Sequence, residues 1–324
     1  MVEELFEEAE STAWNRRLVA AFERRYPAAS NPIVDRIGPV ESQPLDVEIS
    51  RLRARVRWRE PQGSGSVVLE IHAYHGDGAV RACKYAVAAL KRAAESHVVV
   101  PVEWLTGFDE SDIPFLAFER ITGESFETAW RRRRPEARAE EMADILADLH
   151  DGTVTPSRST LPLLDELVAR LEGLVASGAF APEGVEMATR AVQWLASTRP
   201  TNISVVLCHG DFRPGNLIFV PREGLMLTGW ERAAEGDPRL DLARASISIA
   251  ETSGGLLRTP FLSAYRGRRS LPPSDLAWFE VAVGLERIMT YHAGDPRFAT
   301  ASSWLERRIS VSERRGAPMT AEDE

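Results

Sequence analysis

Hydrophobic and polar positions change rhythm twice along the chain. Over residues 1–26, Trp14, Leu18, Ala21 and Phe22 recur at helical spacing and Tyr26-Pro27 closes the run, which predicts an amphipathic helix. Period two then takes over. RLRARVRW (51–58) alternates strictly, GSGS (63–66) reads as a turn, and VVLEIHAY (67–74) reads as a second strand. A helix follows over 78–96, and VVVPVEWLTGF and PFLAFERI supply two more strands. From Thr122 the pattern is helical, with segments at 125–135, 136–151, 163–176 and 182–198. Three short strands in VVLCHGD, LIFV and LMLTGW interrupt it, and helices resume at 238–252, 257–267, 273–292 and 298–312. The expected class is α+β. Residues 1–120 form a lobe with a leading helix and an antiparallel sheet, residues 121–315 a larger helical lobe, and residues 316–324 a disordered tail.

Composition narrows the function. The 324 residues are 44% hydrophobic, enough for a substantial core, and carry a formal net charge of −9. That balance argues against a nucleic-acid binder. Cys83 and Cys208 form neither a metal spacing nor a disulfide framework, which fits a reducing cytosol. The acidic start MVEELFEEAE has no signal-peptide pattern, and no apolar run is long enough to span a bilayer. The expectation is a cytoplasmic protein with no membrane and no nucleic-acid partner.

The chemistry concentrates in VLCHGDFRPGNLIF (206–219). Phosphoryl transfer needs a carboxylate to orient or deprotonate the attacking hydroxyl and an amide oxygen to hold magnesium. Asp211 and Asn216, on one tight loop with Pro214-Gly215 between them, supply that pair. This loop resembles the HGDxxxxN loop of the aminoglycoside phosphotransferase and choline kinase family. LADLH (146–150) is similar to the family's LxxLH helix, FERITGESF (118–126) to its hinge strand and turn, and GDPRLDLA (236–243) to its GDPxxDLA helix start. Four motifs in the right order imply a bilobal, protein-kinase-like fold. The resemblance gives Asp211 the role of catalytic base and Asn216 that of metal ligand. It places adenine against the backbone of Glu119, Arg120 and Ile121. Asp237 and Asp241, at a helix N-terminus that welcomes carboxylates, read as structural, as do His150 and His209.

Half of the expected site is missing. The family carries a metal-binding Asp before a Trp, seven residues ahead of the Gly of GDP; 236 − 7 gives Gly229, within LTGWE. Glu231 is the nearest stand-in; on an extended strand it points to the face opposite position 230, and the resembled family often carries a Glu there anyway. The family's phosphate-clamping strand Lys corresponds to Glu70, and the helix Glu that holds it corresponds to Lys84. The pair reads as charge-swapped, which preserves an ion pair but turns a carboxylate toward phosphates. The loop over 39–48 lacks the glycine that lets backbone approach phosphate. Losing two charge-stabilising groups costs roughly 5–8 kcal/mol of transition-state stabilisation if additive, about four to six decades of rate.

One further pattern concerns binding. Arg51, Arg53, Arg55, Arg57 and Arg59 share one face of a strand, with Leu52, Ala54, Val56 and Trp58 on the other. An acidic peptide or protein is the natural ligand of an outward arginine face, although charges on a sheet edge also serve simply to block aggregation. A second basic run, WRRRRPEAR (130–138), reads as a solvated helix end. Two readings follow. One is a pseudokinase that needs no cofactor and binds a peptide or protein partner within a modifying complex. The other is an active phosphotransferase using ATP and magnesium on an alcohol.

Overall fold

A computed structural model of the chain describes residues 2–43, 49–60, 63–108, 113–130, 135–151, 182–200, 203–253, 256–269, 276–289 and 296–316, with residues 165, 169, 172, 173, 176 and 177 of the intervening stretch. Helix 163–176 and the tail therefore lie outside the described residues, apart from those positions and Gly316. The chain forms two compact units: Met1–Phe126 with Asn216–Ala233, and Glu127–Gly215 with Ala234–Glu324.

The first unit begins with α1 (Val2–Arg25), followed by β1 (Ser30–Gln43), β2 (Ile49–Glu60), β3 (Gly63–Tyr74), α2 (Ala79–Glu95), β4 (Glu103–Gly107) and β5 (Phe115–Glu119). The strands make an antiparallel sheet in the order β1-β2-β3-β5-β4. Leu52, Ala54, Val56, Val67, Leu69 and Ile71 all point to one face, where Trp14, Leu18, Ala21 and Phe22 of α1 cover them. Both expected patterns, helical in α1 and alternating in β2, thus bury their apolar stripes in the same core. The rings of Trp14 and Phe115 meet edge-on at 5.6 Å and those of Phe22 and Trp58 at 5.1 Å.

Two local expectations change. Gly63–Ser66 is strand rather than turn, paired with Glu60–Arg57. Gly65 is required there because Trp58 lies across from it, and a Cβ would stand 2.3 Å from the indole. Likewise Pro39 to Gln43 belong to β1, pairing with Leu52 to Ile49, so the first half of the expected glycine-free loop is strand. A small sheet completes this unit: β6 (Glu124–Ser125), β8 (Leu217–Val220) and β9 (Gly224–Leu227), in the order β6-β8-β9.

The second unit holds α3 (Phe126–Trp130), α4 (Pro135–Asp151), α5 (Pro182–Ser197), β7 (Val206–Cys208), β10 (Ala234–Gly236), α6 (Pro238–Ser253), α7 (Arg258–Arg268), α8 (Leu276–Ile288) and α9 (Pro296–Gly316). α8 is buried on nearly every side, as expected of a helix apolar all round. Its Glu280 is fully buried and is held by Ser246, Arg258 and Arg308. β7 and β10 pair antiparallel and set the entrance to the HGD loop. No helix among the described residues is long and apolar enough to cross a membrane.

Candidate functional site

The HGD loop of the second unit is fixed from below by one carboxylate. Asp241, in the first turn of α6, is completely buried. Its Oδ2 accepts the His209 backbone N–H at 2.6 Å and its Oδ1 accepts the Gly210 N–H at 2.8 Å. His150 Nε2 approaches Oδ2 at 3.3 Å, while His150 Nδ1 lies 2.7 Å from the Tyr265 hydroxyl. These two contacts fix the orientation of the His150 ring. Burial works against the Asp241 charge, but the His150 hydrogen bond and the charges of His150 and His209 outweigh it, so its pKa is lowered. Asp237 forms a second anchor, accepting from Ser204 N at 3.1 Å and from Arg239 at 2.7 Å through both Nε and Nη2. Both aspartates and both histidines are structural, as expected. The helix N-terminus is only part of the reason; Asp241 mainly orders the loop amides. His150, Cys208 and Asp241 come close enough together to suggest metal ligation, but the oxygens of Asp241 are already taken by amides and imidazole.

Asp211 emerges from this anchored loop about one-third exposed, and its Oδ2 accepts from Arg213 Nε at 3.0 Å. Its backbone N–H donates to His209 Nδ1 at 3.2 Å.

The other sequence-derived positions belong to the first unit. Asn216 is buried, and its backbone oxygen accepts from Thr228 N at 2.8 Å and from Thr228 Oγ1 at 3.0 Å. Gly229 is left-handed, with φ 81° and ψ 46°. A Cβ there would stand 2.8 Å from Asn216 Nδ2 and 2.9 Å from Asn216 Cγ. The space for a side chain at 229 is therefore filled by the Asn216 amide.

Glu231 does not sit on an extended strand. Trp230–Arg232 is a 3-10 turn, anchored by Trp230 Nε1 donating to Leu227 O at 2.7 Å. The turn aims Glu231 inward, to 4% side-chain exposure, where its Oε1 meets Arg51 Nη2 at 2.9 Å and His72 Nδ1 at 2.8 Å. His72 Nε2 in turn lies 3.9 Å from Glu70 Oε1. The strand register explains the cluster. Arg51 stands opposite His72, and Arg53 opposite Glu70, on the same face of the β2–β3 hairpin. Burial opposes the Glu231 charge, but His72 and Arg51 overcome it and hold the carboxyl far below the ordinary range. Burial likewise disfavours charged His72, yet Glu231 and Glu70 raise its pKa.

The charge-swapped pair is not formed. Lys84 is exposed on α2, its Nζ 5.8 Å from the centre of the Phe108 ring, because Cys83, Ala86 and Val87 take the buried face. The charged neighbours of Glu70 are His72, Arg51 and Arg53. His72 was the residue missed from sequence; its only signal is its place two residues beyond Glu70, on the same strand face. The arginine stripe is graded rather than uniformly outward. Arg51 is mostly buried by Glu231, Arg53 is half-buried, Arg57 pairs with Asp35 at 2.5 Å, and Arg55 and Arg59 are exposed. At the hinge, Arg120 N–H donates to Val68 O at 2.7 Å. By strand alternation the backbone groups of Glu119 face away from β3.

The ion cluster carries a pH signature. Glu231 stabilises the fold above its ordinary value of 4.5, and this contribution is lost as pH falls below that. His72 contributes fully below its ordinary value of 6.5 and loses this as pH rises through its raised folded value. The urea midpoint is therefore expected to decline on the alkaline side, and His72→Gln is expected to flatten that decline. An unchanged alkaline profile in the variant would refute the coupling.

Comparison with known proteins agrees with this architecture. The model of the phosphotransferase enzyme family matches residues 48–274. An aminoglycoside-3'-phosphotransferase of type VIII superposes with a TM-score of 0.59 at 21% identity, covering 84% of this chain and 98% of that one. The choline kinase LicA from Streptococcus pneumoniae gives 0.58 at 14% identity, covering 96% of this chain and 99% of that one. At these identities the likeness is one of fold. Acyl-CoA dehydrogenase family member 10 of Mus musculus is 41% identical over 61 residues, which are 18% of this chain and 6% of that protein.

Proposed function

Because the chain belongs to the phosphotransferase enzyme family, we propose that it uses the family fold to bind rather than to transfer phosphoryl groups. It is a pseudokinase that serves as a peptide- or protein-binding subunit of a modifying complex. The observation that carries this reading is Gly229. The carboxylate is missing there, and the Asn216 amide lies against the glycine where a side chain would begin. Glu231, the one nearby replacement, is tied to Arg51 and His72. The residues present do not fit the magnesium that the family resemblance implies. Arg55 and Arg59, exposed beside Arg57, supply the positive surface that an acidic peptide would meet.

The test is calorimetric titration with ATP, with and without magnesium, alongside an assay for phosphate transfer to alcohols. No magnesium-dependent gain in affinity and no transfer are expected. Gly229→Asp is expected to give no gain either, because its Cβ meets Asn216 and its left-handed backbone costs about 1–2 kcal/mol. Glu70→Lys adds a cation beside His72 and is expected to destabilise the cluster. Magnesium-dependent binding with turnover would overturn the reading.

The order of the HGD loop favours a second reading, an active ATP-dependent phosphotransferase with Asp211 as base acting on an alcohol of a small molecule or peptide. On that reading Asp211→Asn abolishes a measurable turnover.

A further inference from the structure

The cations displaced from the family's pattern have reappeared on another strand. In the family resemblance the phosphate clamp is a lysine of β3 held by a helix glutamate. Here β3 offers Glu70, and α2 offers a solvent-facing Lys84. Arg51 of β2, however, is held by Glu231 through Nη2 at 2.9 Å, with its side chain 22% exposed. Arg53, next on that face, has a buried Nε with no partner among the described residues. His72 lies behind them, braced by Glu231 at 2.8 Å. The acids nearby are already engaged: Glu231 by Arg51 and His72, Glu70 by His72 with Arg53 opposite.

We infer that Arg51 and Arg53, with His72 behind them, form an anion clamp that holds the polyphosphate of a nucleotide without a divalent cation. Guanidinium suits this task, since its planar fork matches phosphate oxygens and stays charged where a magnesium site is absent. The sheet order supports a nucleotide as the source. The hinge strand β5 adjoins β3, with Phe118 opposite Glu70 and its ring 5.0 Å from that of His72. Arg51 and Arg53 lie one strand further, so the hinge and the clamp are two strand spacings apart, roughly 10 Å. A nucleotide spans that distance with its base at the hinge beyond Arg120 and its phosphates at the arginines. This inference rests on the pseudokinase reading, in which metal is not part of the site.

The experiment titrates the full chain with ATP, adenosine and inorganic tripolyphosphate, in EDTA and in excess magnesium, with transfer to alcohols measured in parallel. ATP is expected to bind in EDTA at least as well as in magnesium, and more tightly than adenosine. Arg51→Ala is expected to weaken ATP about 10- to 100-fold, the loss of a charge-assisted hydrogen-bond pair. Lys91→Ala, an exposed cation of α2 outside the cluster, leaves affinity unchanged. If Arg51→Ala does not fold, Arg51→Lys and Arg53→Ala carry the test, with smaller losses of the same sign. Tripolyphosphate binding that depends on Arg51 supports the clamp. Adenosine binding as tightly as ATP overturns it. Absence of all binding overturns the clamp and leaves the pseudokinase reading intact, whereas binding only with magnesium, accompanied by transfer, overturns both.

Discussion

Asp241→Ala is expected to cost about 3–5 kcal/mol of folding stability, the range for removing one partner of a buried charge pair. The carboxylate has no solvent exposure and satisfies the His209 and Gly210 amides and His150 together. Without it, two backbone N–H donors and His150 Nε2 lose this acceptor in a dry site, and each such loss carries its own desolvation penalty. Alanine also cannot impose a direction on the loop, so Asp211 would lose its fixed exit. Asp241→Asn is expected to fall between the two, since one oxygen still accepts an amide while the new NH₂ group opposes a donor. The measurement is a urea titration in which the midpoint falls and the slope stays constant. A change within about 0.5 kcal/mol, typical of surface substitutions, would show that the loop does not hang on this residue.

Glu231→Ala is the second large effect, again about 3–5 kcal/mol. Its side chain is 4% exposed and faces two cations, so truncation leaves Arg51 and His72 in mutual repulsion without a counter-charge. Replacing Glu231 and His72 together by leucine is expected to cost less than Glu231→Ala alone, because no uncompensated charge then stays buried beyond Arg51, which is 22% exposed. A double-mutant cycle between positions 72 and 231 is expected to give a coupling of about 0.5–3 kcal/mol. A coupling indistinguishable from zero would mean that the two side chains do not act on each other in solution.

The parts of this fold legible in sequence are those in which a single element states its own environment. The alternation of RLRARVRW identifies both the strand and its buried face, because period two separates Leu52, Ala54 and Val56 from the arginines without reference to any neighbour. α1 and α2 are legible for the same reason at period 3.6. Pro39 to Gln43 carry no such alternation; they are strand because β2 is there to pair with them. The site divides along the same line. The HGD loop is a local string and reads directly. The Glu231 environment is not local: Arg51 lies 180 residues away in sequence, and the inward turn at Trp230–Arg232 replaces the extended backbone that a strand pattern implies. Lys84 shows the converse error. Motif position put it opposite Glu70, but helix rotation gives the buried face to Cys83 and Ala86.

Gly229 also constrains the order of evolutionary events. In the present molecule a carboxylate at 229 collides with the amide of Asn216, so regaining it by one substitution passes through a strained intermediate. Smaller residues at 216 open that space but discard the remaining candidate ligand. Restoring a carboxylate at 229 therefore calls for paired changes at 229 and 216.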